Sequence, residues 1–428
     1  MRESPDKLPR FSERRGQYSL GTKGASLPYR KIVSSPQEAY VLSLVRQAGQ
    51  ISRPDLSRIT GLSKTAVTAR LTTLARLGLV EDARSGQSSG GRPAGLVQFA
   101  KNAGRLVGVD LGASSVDIAV TNLNAELLVH LSREVDVRLG PVPVLTEVES
   151  LIGNALAKVP QSRRQLKGIG MGLPGPVEFA MGRPVAPPIM PGWDLFPVRE
   201  YLESAFQCPV YVDNDVNIMA LGERWSGIGK HADNFIFVKL GSGIGCGIIC
   251  GGEIYRGEDG AAGDIGHIAV DGNSAVCRCG QLGCLETIAG GQGLGQVAEQ
   301  LVRRGGNSEL ESRLAEGQSF GAADLAVLLR AADPAASRAV VKAGNAVGHV
   351  LAGLVNFYNP SLIVIGGGVA KLGDLLLASI REIIYHRSLP LATRGISIQL
   401  SSLGDDGGVI GAAALVLGEL YQLSPLSL

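Results

Sequence analysis

One imidazole and three thiols fall between His267 and Cys284. His267, Cys277, Cys279 and Cys284 are spaced His-x9-Cys-x-Cys-x4-Cys. Three thiolates and an imidazole are a common tetrahedral ligand set for Zn2+, and thiolates select it over magnesium or calcium. Gly280 and Gly283 allow tight turns between the ligands. Four protein ligands close the shell, so the expected metal is structural and does not activate water. Asp264 and Glu286 flank the ligands. A metal knot would fix both carboxylates on rigid backbone, where they suit hydrogen bonding to the hydroxyls of a polar ligand. The alternative is three packed free cysteines beside an unrelated histidine. Half of the chain's six cysteines lie in this one glycine-punctuated run, which argues against it.

From Gly266 to Glu286 the chain matches the zinc motif G-H-x(9–11)-C-x-C-G-x-x-G-C-x-E without a break. On that motif it resembles the ROK family, named for repressors, open reading frames and kinases. The family usually carries Glu where this chain has Asp264, a shorter arm.

The elements that must position these residues are organised by charge. The chain has 428 residues, 45% of them hydrophobic, enough for two or three domains with sizeable cores. The net charge of +2 hides an asymmetry: residues 1–100 hold 16 Lys and Arg against 7 Asp and Glu, and the remainder holds 25 against 32. A basic front on an acidic body is the layout of a nucleic-acid-binding module joined to a small-molecule domain. No apolar run is long and charge-free enough to span a membrane, and the N-terminus lacks a signal-peptide core. Cys208, Cys246 and Cys250 lie in apolar runs that predict burial. A reducing cytoplasm is therefore the expected location.

Residues 1–34 are rich in charge, Ser, Gly and Pro, and read as a disordered basic arm, either solvated or touching phosphates. Apolar spacing predicts a helix over 36–48. Ser52 caps a second helix with Pro54 in its first turn and Leu56 and Ile59 inward. Ser63 caps a third through about Leu77, with Val67, Leu71 and Leu74 on one face. This is helix-turn-helix spacing with the third helix as the reader. Thr65 and Thr68 reach base edges or phosphates, while Lys64 and Arg70 mainly supply charge. Short strands at 78–80 and 95–99 around a glycine-rich loop complete a winged helix, and Arg92 on that loop is placed to enter a minor groove. An ordinary three-helix packing unit is the alternative, which the basic charge disfavours. The expected partner is operator DNA, bound by a symmetric homodimer or homotetramer that presents paired half-sites.

From Arg105 the pattern becomes α/β. Residues 106–111 and 116–121 predict a hairpin with Asp110 and Gly112 at its tip. It resembles the first phosphate loop of the actin-like, sugar-kinase-like fold, where the acid orients magnesium and the glycine admits phosphate. ROK kinases carry D-x-G-G-T there. This chain has Asp110-Leu111-Gly112-Ala113-Ser114, and Ala113 narrows the approach. The turns at Gly241 and Gly243, and at Gly367, resemble the second phosphate loop and the adenosine-side loop. The resemblance thus implies ATP and Mg2+ binding, which the Ala113 departure opposes. A strand from Val210 runs into a helix ending near Trp225, with Asn214 and Asp215 at the junction. By the resemblance Asp215 matches the base that takes a proton from a sugar hydroxyl, and Asn214 a sugar contact; an Asn-Asp pair equally caps a helix. Trp193, in a Pro-rich loop, either stacks on a sugar face or packs inside.

The expected fold is α/β: a winged helix-turn-helix, then a two-lobed actin-like ATPase (sugar-kinase-like, ribonuclease H-like) domain with a structural zinc site. The expected boundaries are 1–34 for the arm, 35–100 for the winged helix and 101–428 for the body. Within the body the small lobe takes about 101–230 plus a C-terminal helix at 407–420, and the large lobe about 231–406. The resemblance implies a sugar-responsive transcription repressor of carbohydrate genes. A sugar or sugar derivative entering near Asn214, Asp215, Asp264, His267 and Glu286 would release it from the operator. The alternative is an ATP-dependent sugar kinase carrying a DNA-binding head.

Overall fold

The computed structural model describes residues 31–83, 95–161, 165–304 and 308–423. The arm over residues 1–30 and the wing loop with Arg92 lie outside the described residues.

The head contains α1 (Pro36–Ala48), β1 (Gln50–Ser52), α2 (Arg53–Thr60), α3 (Lys64–Arg76), β2 (Val80–Asp82) and β3 (Leu96–Phe99). Both caps form: Ser52 Oγ accepts the Asp55 N–H at 3.2 Å, and Ser63 Oγ the Ala66 N–H at 3.2 Å. Gly61 ends α2 in the left-handed region at φ +71°, which a side chain would oppose. Leu56, Val67, Leu71 and Leu74 form the core as expected. Ile59 does not: it is 45% exposed. On this two-turn helix Leu56 is the one buried residue. Strand β1 was not legible in the sequence. It completes a three-stranded sheet, order β1-β3-β2, by pairing antiparallel with β3.

The body holds two five-stranded sheets of one topology. The first uses β4 (Arg105–Leu111), β5 (Ser115–Asn122), β6 (Leu127–Glu134), β7 (Leu166–Leu173) and β10 (Val210–Asn214), in the order β10-β7-β4-β5-β6. The second uses β11 (Phe235–Leu240), β12 (Ile244–Cys250), β13 (Glu253–Tyr255), β14 (Leu362–Gly366) and β15 (Ser397–Leu400), in the order β13-β12-β11-β14-β15. In each, the central strand begins an antiparallel meander on one side and takes two parallel strands on the other. A ribbon of β8 (Val177–Glu178) and β9 (Arg183–Pro184) lies between β7 and β10 in sequence.

Helices α4 (Pro141–Ala157) and α5 (Val198–Phe206) build a core against the first sheet. After α6 (Asp215–Trp225) come α7 (Glu286–Ala289), α8 (Gly291–Val302), α9 (Ser308–Ala315), α10 (Ala322–Arg330), α11 (Pro334–Tyr358), α12 (Asp374–Arg387), α13 (Pro390–Thr393) and α14 (Asp406–Tyr421). Helices α8, α10, α11 and α12 bury the other large core on the second sheet.

Helix α14 is apolar nearly all round, as a helix without a wet face must be. It meets its neighbours backbone to backbone. A Cβ at Gly411 would lie 1.6 Å from the Ile218 carbonyl oxygen of α6, and one at Gly108 of β4 2.0 Å from the Val409 carbonyl oxygen. Only glycine fits at such contacts. The far end of α14 belongs to the head: Ala413, Leu417, Leu420 and Tyr421 share one core with Val41, Leu42 and Val45 of α1. The arm expected through residue 34 is fixed at its last residues, where the N–H groups of Ile32 and Val33 meet the Leu420 carbonyl at 2.8 and 3.4 Å and Val33 is buried.

Candidate metal centre and effector site

His267, Cys277, Cys279 and Cys284 converge, with one ligand atom from each lying within 4.8 Å of the others. Cys277 Sγ is 3.6 Å from His267 Nδ1, and Cys279 Sγ is 3.7 Å from Cys284 Sγ. A tetrahedron with bonds near 2.3 Å has edges of about 3.8 Å, so the set fits a four-coordinate metal. The loop is shaped by backbone: Cys277 N–H donates to the Gln281 carbonyl at 2.8 Å, and Gly280 and Gly283 take φ of +87° and +79°. His267 turns Nδ1 toward the thiols, and its Nε2 lies 3.7 Å from Asp264 Oδ1, beyond hydrogen-bond length. These four residues would hold the ion, whose chemistry here is to lock the loop. Glu286, just beyond the last ligand, accepts the Ile244 N–H on Oε2 at 3.2 Å and so ties the knot to the start of β12.

Asp215 opens α6 and is 5% exposed. Asn214 is the N-cap: its Oδ1 accepts N–H groups from Val216 at 2.9 Å and Asn217 at 3.4 Å, and its Nδ2 donates to the Gly175 carbonyl at 2.9 Å. Capping therefore claims the Asn214 oxygen and leaves one N–H for a ligand. The first turn of α6 approaches the metal side through glycines. A Cβ at Gly245 would lie 3.2 Å from Val216 Cγ2 and 3.8 Å from the carbonyl oxygen of Gly263, the residue before Asp264.

Sequence reasoning passed over Lys239. Its Nζ donates to Asp215 Oδ2 at 2.5 Å, with the two side chains 18% and 7% exposed. Burial works against the ammonium, but Asp215 and Asp110 offset it and hold the Lys239 pKa above its ordinary value. Asp110 is itself buried, and burial raises its carboxyl to about 7 against the pull of Lys239. Its Oδ1 has no hydrogen-bond partner among the described residues, and its Oδ2 lies where a Cβ on Gly408 of α14 would be 1.9 Å away. Asp215 thus already carries one cation, whose charge Asp110 also feels. The signal was present in the sequence: Lys239 is the only charged residue in the strand Phe-Ile-Phe-Val-Lys-Leu.

The glycines of the phosphate-loop resemblance divide between the two sheets. Gly112 N–H closes the β4–β5 turn on the Ser115 carbonyl at 2.8 Å. Gly241 N–H meets the Gly243 carbonyl at 3.0 Å, and Gly367, at φ +89°, packs so that a Cβ would be 2.5 Å from the Leu240 carbonyl oxygen.

A family model described as ROK family matches residues 106–419, and one described as winged helix-turn-helix DNA-binding matches residues 41–81. The chain belongs to the ROK family. It is 30% identical over 385 residues to the xylose repressor of Caldicellulosiruptor bescii, covering 89% of this chain and 95% of that protein. To the glucokinase of Halalkalibacterium halodurans it is 36% identical over 311 residues, covering 72% of this chain and 94% of that enzyme. Among solved structures it matches a ROK family transcriptional regulator, described as a homologue of the E. coli Mlc protein, at TM-score 0.76 and 27% identity over 90% of this chain and 96% of that one. The ROK body is thus common to repressor and kinase relatives, and the head accompanies the regulators.

On the head of this ROK chain, Lys64, Thr65 and Thr68 are exposed along one side of α3. Thr68 Oγ1 donates to the Lys64 carbonyl at 2.9 Å, so only its lone pairs remain free to accept. Arg70 Nη2 donates to Gln37 Oε1 of α1 at 2.5 Å, which ties it to the head's own surface. Two further expectations are corrected or decided. Cys250 is exposed, because it ends β12 beside the Gly251-Gly252 turn of the β12–β13 hairpin, opposite Glu253. Trp193 packs inside: it is fully buried, and its Nε1–H donates to the Val137 carbonyl at 3.0 Å. No helix among the described residues is long and apolar enough to cross a membrane.

Proposed function

We infer that the protein is a sugar-responsive DNA-binding transcriptional repressor. One observation carries the reading: two tightly joined helices run from the floor of the site to the DNA-binding head. Helix α6 begins at Asp215 and ends at Trp225, about 16 Å away. The Trp225 ring lies under the Arg46 guanidinium of α1 at 4.2 Å. Trp225 Nε1–H donates to the Asn124 carbonyl at 3.0 Å, and Arg46 Nη1 donates to Asn124 Oδ1 at 3.2 Å. Helix α14 begins against Asp110 and ends on Ile32 and Val33. Helices α6 and α14 touch through glycine backbone along this path.

A sugar whose hydroxyls engage Asp215, Asn214, Asp264, His267 and Glu286 acts on the near end of this pair. If it prefers the helix position that misplaces the heads, DNA affinity falls by linkage. Lys64, Thr65 and Thr68 are the residues proposed to contact DNA, with Arg92 and, once released from Gln37, Arg70. Zn2+ is the metal the ligand set favours, and a homodimer or homotetramer supplies two heads for paired half-sites. The domains follow as a winged helix over 35–100 and a sugar-binding body over 101–428.

The test is fluorescence anisotropy of the full-length protein on the DNA upstream of its own gene, titrated with xylose, glucose and their phosphates. Release by one sugar is the expected result. Binding that no sugar relieves would overturn the inducer half of the reading, and absence of DNA binding would overturn all of it. The kinase reading has the 36% identity to a glucokinase in its favour. Turnover of Mg-ATP with a sugar at about 1 s⁻¹ or faster would establish it.

A further inference from the structure

The strand β11 alternates. Phe235 and Phe237 face Val216 and Ala220 of α6, while Ile236, Val238 and Leu240 face the second core. Period-2 alternation puts Lys239 on the α6 side, at the level of the first turn of that helix. Its stem runs beneath the glycine-rich turn: a Cβ at Gly241 would lie 3.4 Å from Lys239 Cε and 3.8 Å from its Cγ. The ammonium ends on Asp215, within Coulombic reach of Asp110. Asp110 on β4 and Asp215 at the start of α6 both come from the side of the first sheet, and a lysine from the second sheet reaches across to them.

We propose that Lys239 is a built-in cation that takes the place of a divalent metal at the Asp110–Asp215 floor, making the site a receptor that binds a ligand hydroxyl without deprotonating it. Asp215, paired to an ammonium, accepts a hydrogen bond from the hydroxyl and keeps its own charge balanced. Lys239 holds further N–H donors for a ligand oxygen. The arrangement fits a neutral polyol or sugar and leaves no positive charge in excess for a phosphorylated one. The inference concerns the floor alone and does not depend on DNA binding.

The test is a Mn2+ titration of the zinc-loaded full-length protein followed by electron paramagnetic resonance, with wild type, Lys239→Met and Lys239→Gln. The glutamine variant retains a donor in case the methionine variant does not fold. The expected result is that either folded variant binds Mn2+ at least about tenfold tighter than wild type, and that adding Asp110→Asn abolishes the gain. Two results would overturn the proposal. One is wild type that already binds Mn2+ below about 0.1 mM and loses it on Asp110→Asn. The other is folded Lys239 variants that bind no better than wild type. If neither variant melts cooperatively, the wild-type titration with its Asp110→Asn control decides alone.

Discussion

The metal loop collects four side chains from one short run between His267 and Cys284, whereas the floor of the site collects Asp110, Asp215 and Lys239 from β4, α6 and β11. Both regions concentrate negative charge. In the loop three cysteines and a histidine converge in a set that an ion from outside would neutralise; at the floor the chain supplies its own ammonium to Asp215. The first device is set by local spacing. The second exists only once the fold has closed and Lys239 meets Asp215. The difference teaches that a ligand set is legible in proportion to how local it is.

The largest expected effect is on the loop. Cys284→Ala removes a fully buried ligand; zinc should fall from one per chain to none, with at least about 4 kcal/mol of stability lost. Metal analysis beside calorimetry checks this, and an unchanged zinc content breaks the contrast at its first term. At the floor, Lys239→Met should cost about 3–5 kcal/mol by leaving buried carboxylates unpaired. Adding Asp215→Asn should recover most of that loss in urea unfolding; additive losses would mean that the pair is not the unit described here. Arg46→Met, which strips the contact over Trp225, should cost only about 1–2 kcal/mol. It should also uncouple sugar addition from DNA release in the anisotropy assay. Unchanged coupling would remove α6 from the route between site and head. Lys64→Ala should weaken DNA binding on every sequence and reduce the salt slope by about 1.

The smallest effect separates a titrating charge pair from the fixed ones. His130 places Nε2 3.1 Å from Asp117 and Nδ1 2.7 Å from Asp406, at the start of α14. The hydrogen bond to Asp117 raises its pKa, against burial and with help from Asp406. A raised folded value means that the stabilisation is complete below the unfolded value near 6.5 and is lost as pH climbs through the folded one. Melting temperature should decline over that window in wild type and stay flatter in His130→Gln.

Much of the head was legible because its signals are local. Ser52 and Ser63 cap where expected, Gly61 turns, and Leu56, Val67, Leu71 and Leu74 pack. Ile59 misled because the head's core takes up one residue of this two-turn helix, Leu56, and leaves Ile59 outside. Strand β1 was hidden because three residues carry no period, and only β3 makes them a strand. Trp193 offered two fates of equal chemical merit, decided when the Val137 carbonyl met its indole N–H.

By itself the sequence determined the metal loop, the helix-turn-helix, the junction at Asn214 and Asp215, and the basic-head, acidic-body division. Each depends on neighbours along the chain: ligand spacing, caps, alternation, charge counts. The tertiary structure decided that Asn214 spends its oxygen on a cap, that Lys239 closes on Asp215, that α14 threads from Asp110 to Val33, and that Trp225 carries the head through Arg46. Those contacts join residues far apart in the chain, and their energies come from burial and from the low dielectric it creates, which no local pattern records.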